Sequence, residues 1–171
     1  MIRAVAVVVA MLAAPSVAGG GRASALQDAN PAEGWRTFSG SWSARGQRQV
    51  IPAEGGHSAA IVHLSGAVVL ASGDLGIGLL GEAIAFDDGQ NLSVGRAVWT
   101  DQRGDRVFSE LRGEPVATGR RVTGAITGGT GRYAGATGDY SLTWQYVAQD
   151  VDDVVQGRSV DLRGRLRKGT P

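Results

Sequence analysis

From residue 35 onward, apolar and polar residues alternate in short runs separated by glycine, aspartate and asparagine. An apolar residue at every second position is typical of a β-strand with one buried face, and no segment keeps the 3.6-residue period of a helix over three turns. The pattern predicts an all-β domain with almost no helix and eight strands, at Arg36 to Ala44, Ser58 to Leu70, Leu79 to Phe86, Leu92 to Asp101, Arg106 to Glu114, Arg120 to Thr127, Asp139 to Ala148 and Val155 to Arg167. Eight antiparallel strands suit an up-and-down barrel whose interior holds side chains or one small ligand, although a sandwich of two sheets would alternate similarly.

The apolar residues fall on even positions in nearly every predicted strand. Because a slip of one residue would turn the whole set toward water, this agreement predicts one common buried face. Its members are Phe38, Trp42, Val62, Leu64, Val68, Leu70, Leu80, Ile84, Phe86, Leu92, Val94, Val98, Phe108, Val122, Ile126, Tyr140, Leu142, Trp144, Tyr146, Val160, Leu162 and Leu166.

Charged residues on this even-numbered face are the sharpest local signal, because charged side chains are seldom buried without a partner. If Phe86 faces Leu92 across the next turn, Glu82 lies opposite Arg96. A three-residue loop with Gly104 in its left-handed position then places Arg96 opposite Glu110. The alternatives are a structural ion triad, an outward face on which the three side chains are solvated, and a polar anchor for a ligand.

Aromatic residues bear on the same choice, because apolar cavities with a few polar groups are the usual small-molecule sites. Trp42, Trp144, Tyr146 and Phe108 could line such a cavity or simply fill the core. Trp35 and Trp99 lie at odd positions. We therefore expect them on an outer surface or at a subunit contact.

Five glycines punctuate the eleven residues that separate the sixth and seventh predicted strands. Glycine adopts positive φ without steric cost, so the stretch predicts a structural corner more readily than a ligand loop. It lacks the lysine of a phosphate-binding loop and opens no helix. The five are Gly128, Gly129, Gly131, Gly135 and Gly138.

The composition of the chain argues against several classes of function. Seventeen basic and sixteen acidic residues give a net charge of +1, which offers no electrostatic footprint for nucleic acid. Two histidines and no cysteine are too few for a metal cluster, and the acidic run at Asp150, Asp152 and Asp153 does not match a calcium loop. We expect neither a metal nor a cofactor. No serine has a histidine and acid framework around it, so the sequence names no catalytic residue.

The first residues have the layout of a secretory signal peptide. Arg3 precedes an apolar run from Ala4 to Ala14, and small residues follow near Ala18 and Ala25, after either of which cleavage could occur. The sequence thus predicts a signal peptide over 1–25, a flexible linker over 26–34 and one barrel domain over 35–168. The product would be periplasmic or secreted, without a membrane span once the leader is removed.

The segment from Ile126 to Gly138, with its five glycines, resembles the turn pattern of the allene oxide cyclase and dirigent protein family, in its bacterial branch. The resemblance is strongest over roughly residues 90–168. It implies an eight-stranded barrel with a central cavity, frequent trimers in plant members, and ligands such as oxylipins or phenoxy radicals. Some bacterial relatives close rings on polyketide-like chains. The resemblance transfers no catalytic residue to this chain, and function does not follow from fold alone.

These observations favour an exported barrel that binds a small, mainly apolar molecule. Glu82, Arg96 and Glu110 would orient its polar end, and Trp144 and Tyr146 would contact its body. One alternative is a cyclase or isomerase acting on an oxylipin- or polyketide-like chain. Another is a self-assembling interaction protein with a filled barrel, which would form homo-oligomers through its outer face.

Overall fold

A computed structural model describes residues 34–73, 75–149 and 153–169. The predicted leader, nearly all of the linker, and Asp150 and Asp152 lie outside these residues. The strands run over β1 (Trp35–Pro52), β2 (Ser58–Ser72), β3 (Gly78–Asp87), β4 (Ser93–Thr100), β5 (Arg106–Val116), β6 (Gly119–Gly129), β7 (Thr137–Gln149) and β8 (Val154–Arg167), with short 3₁₀ turns at Glu54–Gly56 and Gly131–Tyr133. Within the described part of the chain, no helix is long and apolar enough to cross a membrane.

The eight strands form one closed antiparallel barrel, which confirms the predicted fold class. Each strand pairs with its neighbours in the chain, and β8 returns to β1, where Trp35 pairs with Arg167. Closure leaves no exposed sheet edge. Because consecutive strands are antiparallel, their connections alternate between the two ends of the barrel. One end holds the connections β2–β3, β4–β5 and β6–β7, and the opposite end holds the other four.

The inner face lies at even positions in β1, β2, β6 and β7, as predicted, but at odd positions in β3, β4 and β5. Leu79, Ala83, Ala97 and Val107 are buried, whereas Leu80, Ile84, Phe86 and Leu92 are exposed. The predicted face is wrong in these three strands because they carry apolar residues on both sides. Small alanines point inward where large rings from opposite strands need room, and the bulkier apolar side chains point outward.

A bulge in β8 changes the parity of that strand. Asp161 has φ +56°, and the pairing of β8 with β7 and β1 shifts beside it. Val155 and Ser159 face inward before the bulge, and Leu162 and Leu166 face inward after it. An extra residue in one strand has this effect because side chains alternate with period two.

Aromatic rings packed against glycines fill much of the interior. A Cβ at Gly124 would overlap the Tyr140 ring, and a Cβ at Gly157 would overlap the Trp144 ring. Trp99 also belongs to this core: it is buried, with its ring 4.6 Å from that of Tyr140. The predicted outer position of Trp99 is therefore wrong, for the same reason of parity in β4. Trp35 lies beneath the guanidinium groups of Arg165 and Arg167 on the outer face.

The β6–β7 connection closes one end of the barrel. Tyr133 is fully buried there, and its hydroxyl donates to the carbonyl of Leu75 at 2.6 Å. Arg132 donates to the same carbonyl and pairs with Asp101 at 2.7 Å. Burial opposes the ionisation of Asp101, but the backbone N–H groups of Arg103 and Asp105, together with Arg132, hold its pKa below the ordinary value.

Candidate functional site

A cavity of about 90 Å³ lies inside the barrel, toward the end opposite Tyr133. Its wall is mostly aromatic and aliphatic, and its polar groups lie where β3, β4, β6 and β7 begin or end. The polar lining therefore marks the mouth of the cavity. The apolar wall includes Trp42, Val62, Leu64, Ala97, Trp99, Leu111, Val122, Tyr140, Leu142 and Trp144, and the polar rim includes Asp87, Ser93, Arg120 and Tyr146.

An ion pair between Asp87 and Arg120 crosses this mouth. Asp87 ends β3 and Arg120 begins β6, and the sheet places β4 and β5 between them. The two side chains therefore meet across the lumen and not along the sheet. They are 20% and 28% exposed, so solvent screens the pair only in part. Arg48 pairs with the inward-facing Val62, which places a second cation on the inner face near the mouth.

Two tryptophans that line the cavity have buried indole N–H groups without an acceptor. Trp42 and Trp144 are 7% and 5% exposed, their ring centroids are 5.0 Å apart, and neither Nε1 has a hydrogen-bond partner among the described residues. Buried donors in folded proteins are almost always paired, and an unpaired one costs roughly 1–3 kcal/mol. Both Nε1 atoms are sealed from the cavity in this arrangement of the rings, so an occupant would reach either one only if the indole turned.

The position of Trp42 follows from the register of the sheet. The pairing of β1 with β8 shifts between Gly40 and Ser43. The Trp42 backbone N–H, displaced from the regular ladder, instead donates to the buried Ser159 hydroxyl at 2.6 Å. This bond holds Trp42 beside Gly81, where the indole edge approaches the backbone of β3 because that residue has no side chain.

Tyr146 is the phenol at the mouth, and its ring meets Trp144 edge-on at 6.2 Å. Burial raises the pKa of Tyr146; Arg48 and Arg120 oppose this rise, and Asp87 adds to it. The Trp144 indole also lies close enough to lower the Tyr146 pKa slightly, although Nε1 and the hydroxyl do not meet with hydrogen-bond geometry. Tyr146 is thus a neutral hydroxyl near pH 7 and can donate a hydrogen bond.

Of the five predicted ligand-binding residues, Trp144 and Tyr146 line the cavity. The other three lie on the outside of the barrel. Glu82 is exposed, and Arg96 and Glu110 pair there at 2.6 Å with side chains 66% and 52% exposed. The inward orientation predicted for these three residues is wrong, so they do not form a polar anchor in the central cavity.

The predicted pairing of Glu82 with Arg96 is wrong because of one turn. Asp88 accepts hydrogen bonds from the N–H groups of Gln90 and Leu92, which places Leu92 in the turn and outside β4. Phe86 consequently pairs with Val94, and Arg96 lies opposite Ile84 instead of Glu82. The next hairpin was predicted correctly: Gly104 has φ +85°, and Arg96 lies opposite Glu110.

Two important residues of the mouth were missed. Arg120 shares the even parity of Val122 and Ile126, so the pattern in β6 already indicated that it points inward. In the sequence, Asp87 follows the predicted third strand and belongs to a predicted turn. The observed parity of β3 shows that it faces the lumen.

No protein-family model matches the chain, and no curated protein matches its sequence. Among solved structures, it is similar to a pyocyanin demethylase at 17% identity, over 73% of this chain and 98% of that one, with a TM-score of 0.42. It is also similar to a pterocarpan synthase dirigent protein at 12% identity, over 80% and 88% of the chains, with a TM-score of 0.46. These likenesses concern the barrel fold alone. Membership of the allene oxide cyclase and dirigent family stays a prediction.

Proposed function

We propose that this barrel binds one small, largely apolar molecule in its central cavity. The observation that carries the proposal is an enclosed, mostly apolar cavity whose few polar groups, among them Arg120 and Tyr146, lie at its mouth. An apolar pocket with a few placed polar groups is the usual form of a small-molecule site. The occupant therefore has an apolar body that carries at least one hydrogen-bond acceptor.

The size of the cavity limits what enters it. At about 90 Å³ it is smaller than typical ligand pockets of roughly 300–1,000 Å³. It is also smaller than an engineered cavity of about 150 Å³ that binds benzene. The occupant is thus either a very small compound or the inner end of a longer one that leaves through the mouth, with the side chains of the rim moved aside.

Direct binding measurements on a conservative variant test this function. Trp144→Phe keeps an aromatic ring and removes part of the indole from the cavity wall, so we expect the lost contacts to weaken binding of a small aromatic ketone such as acetophenone about tenfold. Trp35→Phe makes the same change on the outer face and should leave binding unchanged. Ligand-observed NMR and calorimetry provide the readout. Equal binding by the wild type and Trp144→Phe, or no binding by the wild type, would contradict the proposal.

Turnover would separate a binder from the cyclase or isomerase alternative. Asp87, Arg120 and Tyr146 are the polar groups at the mouth, and they could stabilise charge during a ring closure. A compound recovered unchanged after long incubation supports binding alone. Conversion that depends on these residues would instead establish an enzyme.

A second function is favoured by the outer face of β2–β5. Ile61, Leu80, Ile84 and Phe86 are 38–53% exposed there, and Val94, Val98 and Phe108 continue the apolar surface. Contiguous apolar patches of this kind mark contacts with other molecules. We name this set the outer apolar face, and we propose a second copy of the chain as its occupant.

The charges on the outer apolar face support this choice of occupant. Glu82 and Arg96 are of opposite sign and lie on adjacent strands of the face. In a two-fold contact, the same patch meets itself, so Glu82 of each copy can lie beside Arg96 of the other.

We also propose that the protein is exported, on the basis of the apolar run that follows Arg3. The mass of the protein purified from its own host tests this. A mature chain that begins after Ala18 or Ala25 supports export, and a chain that keeps Met1 contradicts it.

A further inference from the structure

The polar groups around the cavity are strongly biased toward hydrogen-bond donors. Two indole N–H groups are buried in its wall, and the hydroxyls of Tyr146 and Ser93 lie at the rim. Indole N–H is a donor only, and hydroxyls both donate and accept. Among the described lining residues, the side chain that only accepts is Asp87, and Arg120 already pairs with it.

The charged side chains that face inward near the mouth are likewise mostly hydrogen-bond donors. Arg48 and Arg120 are two cations, and Asp87 is one carboxylate among the described residues there. Arg48 and Arg120 both oppose the rise in the Tyr146 pKa and Asp87 adds to it, so all three charges lie within electrostatic range of the Tyr146 hydroxyl. The mouth therefore has an excess of positive charge beside a neutral phenol that can donate.

The contact between Arg120 and Asp87 leaves room for another acceptor. It joins Nη2 to Oδ2, and the guanidinium carries five N–H donors. Within the described part of the chain, the Arg120 side chain forms no other hydrogen bond. A carboxylate can bind a guanidinium through two parallel hydrogen bonds, which are stronger than neutral ones.

We propose that the ligand of this cavity is an anion: an apolar body with a carboxylate that lies at the mouth and binds Arg120, with Arg48 beside it. This inference rests on the proposed binding function and specifies its ligand class. Asp87 then competes with the ligand carboxylate for Arg120 and acts as the resident counter-ion of that arginine. A cationic ligand would be repelled by the two arginines, and a neutral ligand would leave Arg120 paired with Asp87.

Three probes of nearly equal size and different charge test the proposal: benzoate, benzyl alcohol and benzylamine. We expect benzoate to bind at least tenfold more tightly than the other two at low salt, and the difference to shrink as salt screens the charges. Arg120→Gln should remove the preference for benzoate. Arg158→Gln removes an exposed arginine of the outer face and should leave it unchanged.

Asp87→Asn keeps the test decisive if Arg120→Gln folds poorly. Without the resident carboxylate, Arg120 is free for the ligand, so benzoate should bind about tenfold more tightly to Asp87→Asn than to the wild type. Benzyl alcohol or benzylamine binding as well as benzoate would overturn the anion proposal and leave cavity binding standing. Failure of all three probes to bind the wild type would overturn both.

Discussion

At the scale of single residues, glycines allow large rings to pack inside a narrow barrel. The interior of eight strands is just wide enough for side chains. Tyr140 and Trp144 occupy space that a Cβ at Gly124 or Gly157 would otherwise take. Inward glycines are therefore a requirement of this core, and part of the high glycine content, 27 of 171 residues, follows from it.

Gly124→Ala should destabilise the barrel by about 1–3 kcal/mol, because the new methyl group overlaps the Tyr140 ring and the core must shift. Gly78→Ala is the matched control. Gly78 also lies in a strand, and a Cβ there meets nothing within 4 Å. Urea unfolding of both variants measures the difference. Equal stability of the two would show that the Tyr140 ring is free to move away.

Tyr140 also predicts how stability depends on alkaline pH. Burial raises the pKa of Tyr140 to about 12, against an ordinary value of 10.0. Between these values the unfolded phenol loses its proton and the folded one keeps it. Rising pH therefore favours the unfolded chain, and stability should fall by about 2–3 kcal/mol across this window.

Tyr140→Phe should remove this alkaline loss of stability while it keeps the ring. Unfolding free energies at pH 8 and pH 11 for the wild type and the variant provide the measurement. The two proteins should differ in the slope of stability against pH. Parallel slopes would mean that the Tyr140 phenol titrates normally in the folded barrel.

At the scale of elements, the β6–β7 connection closes one end of the barrel, which the strands alone cannot close. It turns through Gly131 and Gly135, which have φ +51° and +66°, and places Tyr133 over the core. The hydroxyl of Tyr133 then ties this connection to the β2–β3 connection through Leu75. The glycine-rich stretch thus lies at the closed end, away from the mouth.

Tyr133→Phe tests this tie. The ring remains, but the Leu75 carbonyl keeps only its bond from Arg132, so we expect a loss of about 1 kcal/mol. Hydrogen exchange should accelerate mainly in residues near Leu75 and Arg132, and less in the middle of the strands. Binding at the opposite end should not change. An effect on binding as large as that on stability would show that the two ends are coupled.

The elements also show what the sequence could predict. Alternation predicted the existence of all eight strands and, in four of them, the inner face. In β3–β5 it was misleading, because Ile84 and Phe86 are larger than the inward Ala83 and Ala85. Size and hydrophobicity indicate which side is buried only when the opposite side meets water. An outer face that is itself apolar removes that signal.

The candidate site was predictable to a similar degree. Trp144 and Tyr146 follow from the parity of β7, and Arg120 was available from the parity of β6. The inward position of Asp87 depends on the parity of β3, which the apolar outer side of that strand obscures. The contact of Asp87 with Arg120 also joins strands that are not neighbours. Such contacts follow only from closure of the barrel.

At the scale of the whole molecule, the described outer surface has two different halves. The outer apolar face covers β2–β5, whereas β7 and β8 carry charges such as the Asp139–Arg165 pair. A barrel that only holds a ligand has no need of an apolar outer half, and exposed apolar patches favour association. The two proposed functions are therefore compatible, with the cavity inside each copy and the contact between copies outside.

Ile84→Lys should weaken self-association, because it places a charge in the middle of the outer apolar face. Val147→Lys is the control: Val147 is 64% exposed, against 53% for Ile84, and lies on β7, outside that face. Sedimentation velocity over a range of concentrations should show a reversible larger species for the wild type and Val147→Lys, and monomer for Ile84→Lys. A wild type that is monomeric at every concentration would contradict the proposed contact.

Charge reversal then tests the geometry of the contact. If Glu82 of each copy lies beside Arg96 of the other, Glu82→Lys brings two cations together and should weaken association about tenfold. Adding Arg96→Glu restores opposite signs across the contact and should recover much of the loss. The second change also places two carboxylates side by side within one copy, because Arg96 pairs with Glu110. Glu110→Gln in the same background removes that repulsion. If the contact is two-fold, association should be weak in Glu82→Lys and should recover in the triple variant Glu82→Lys, Arg96→Glu, Glu110→Gln.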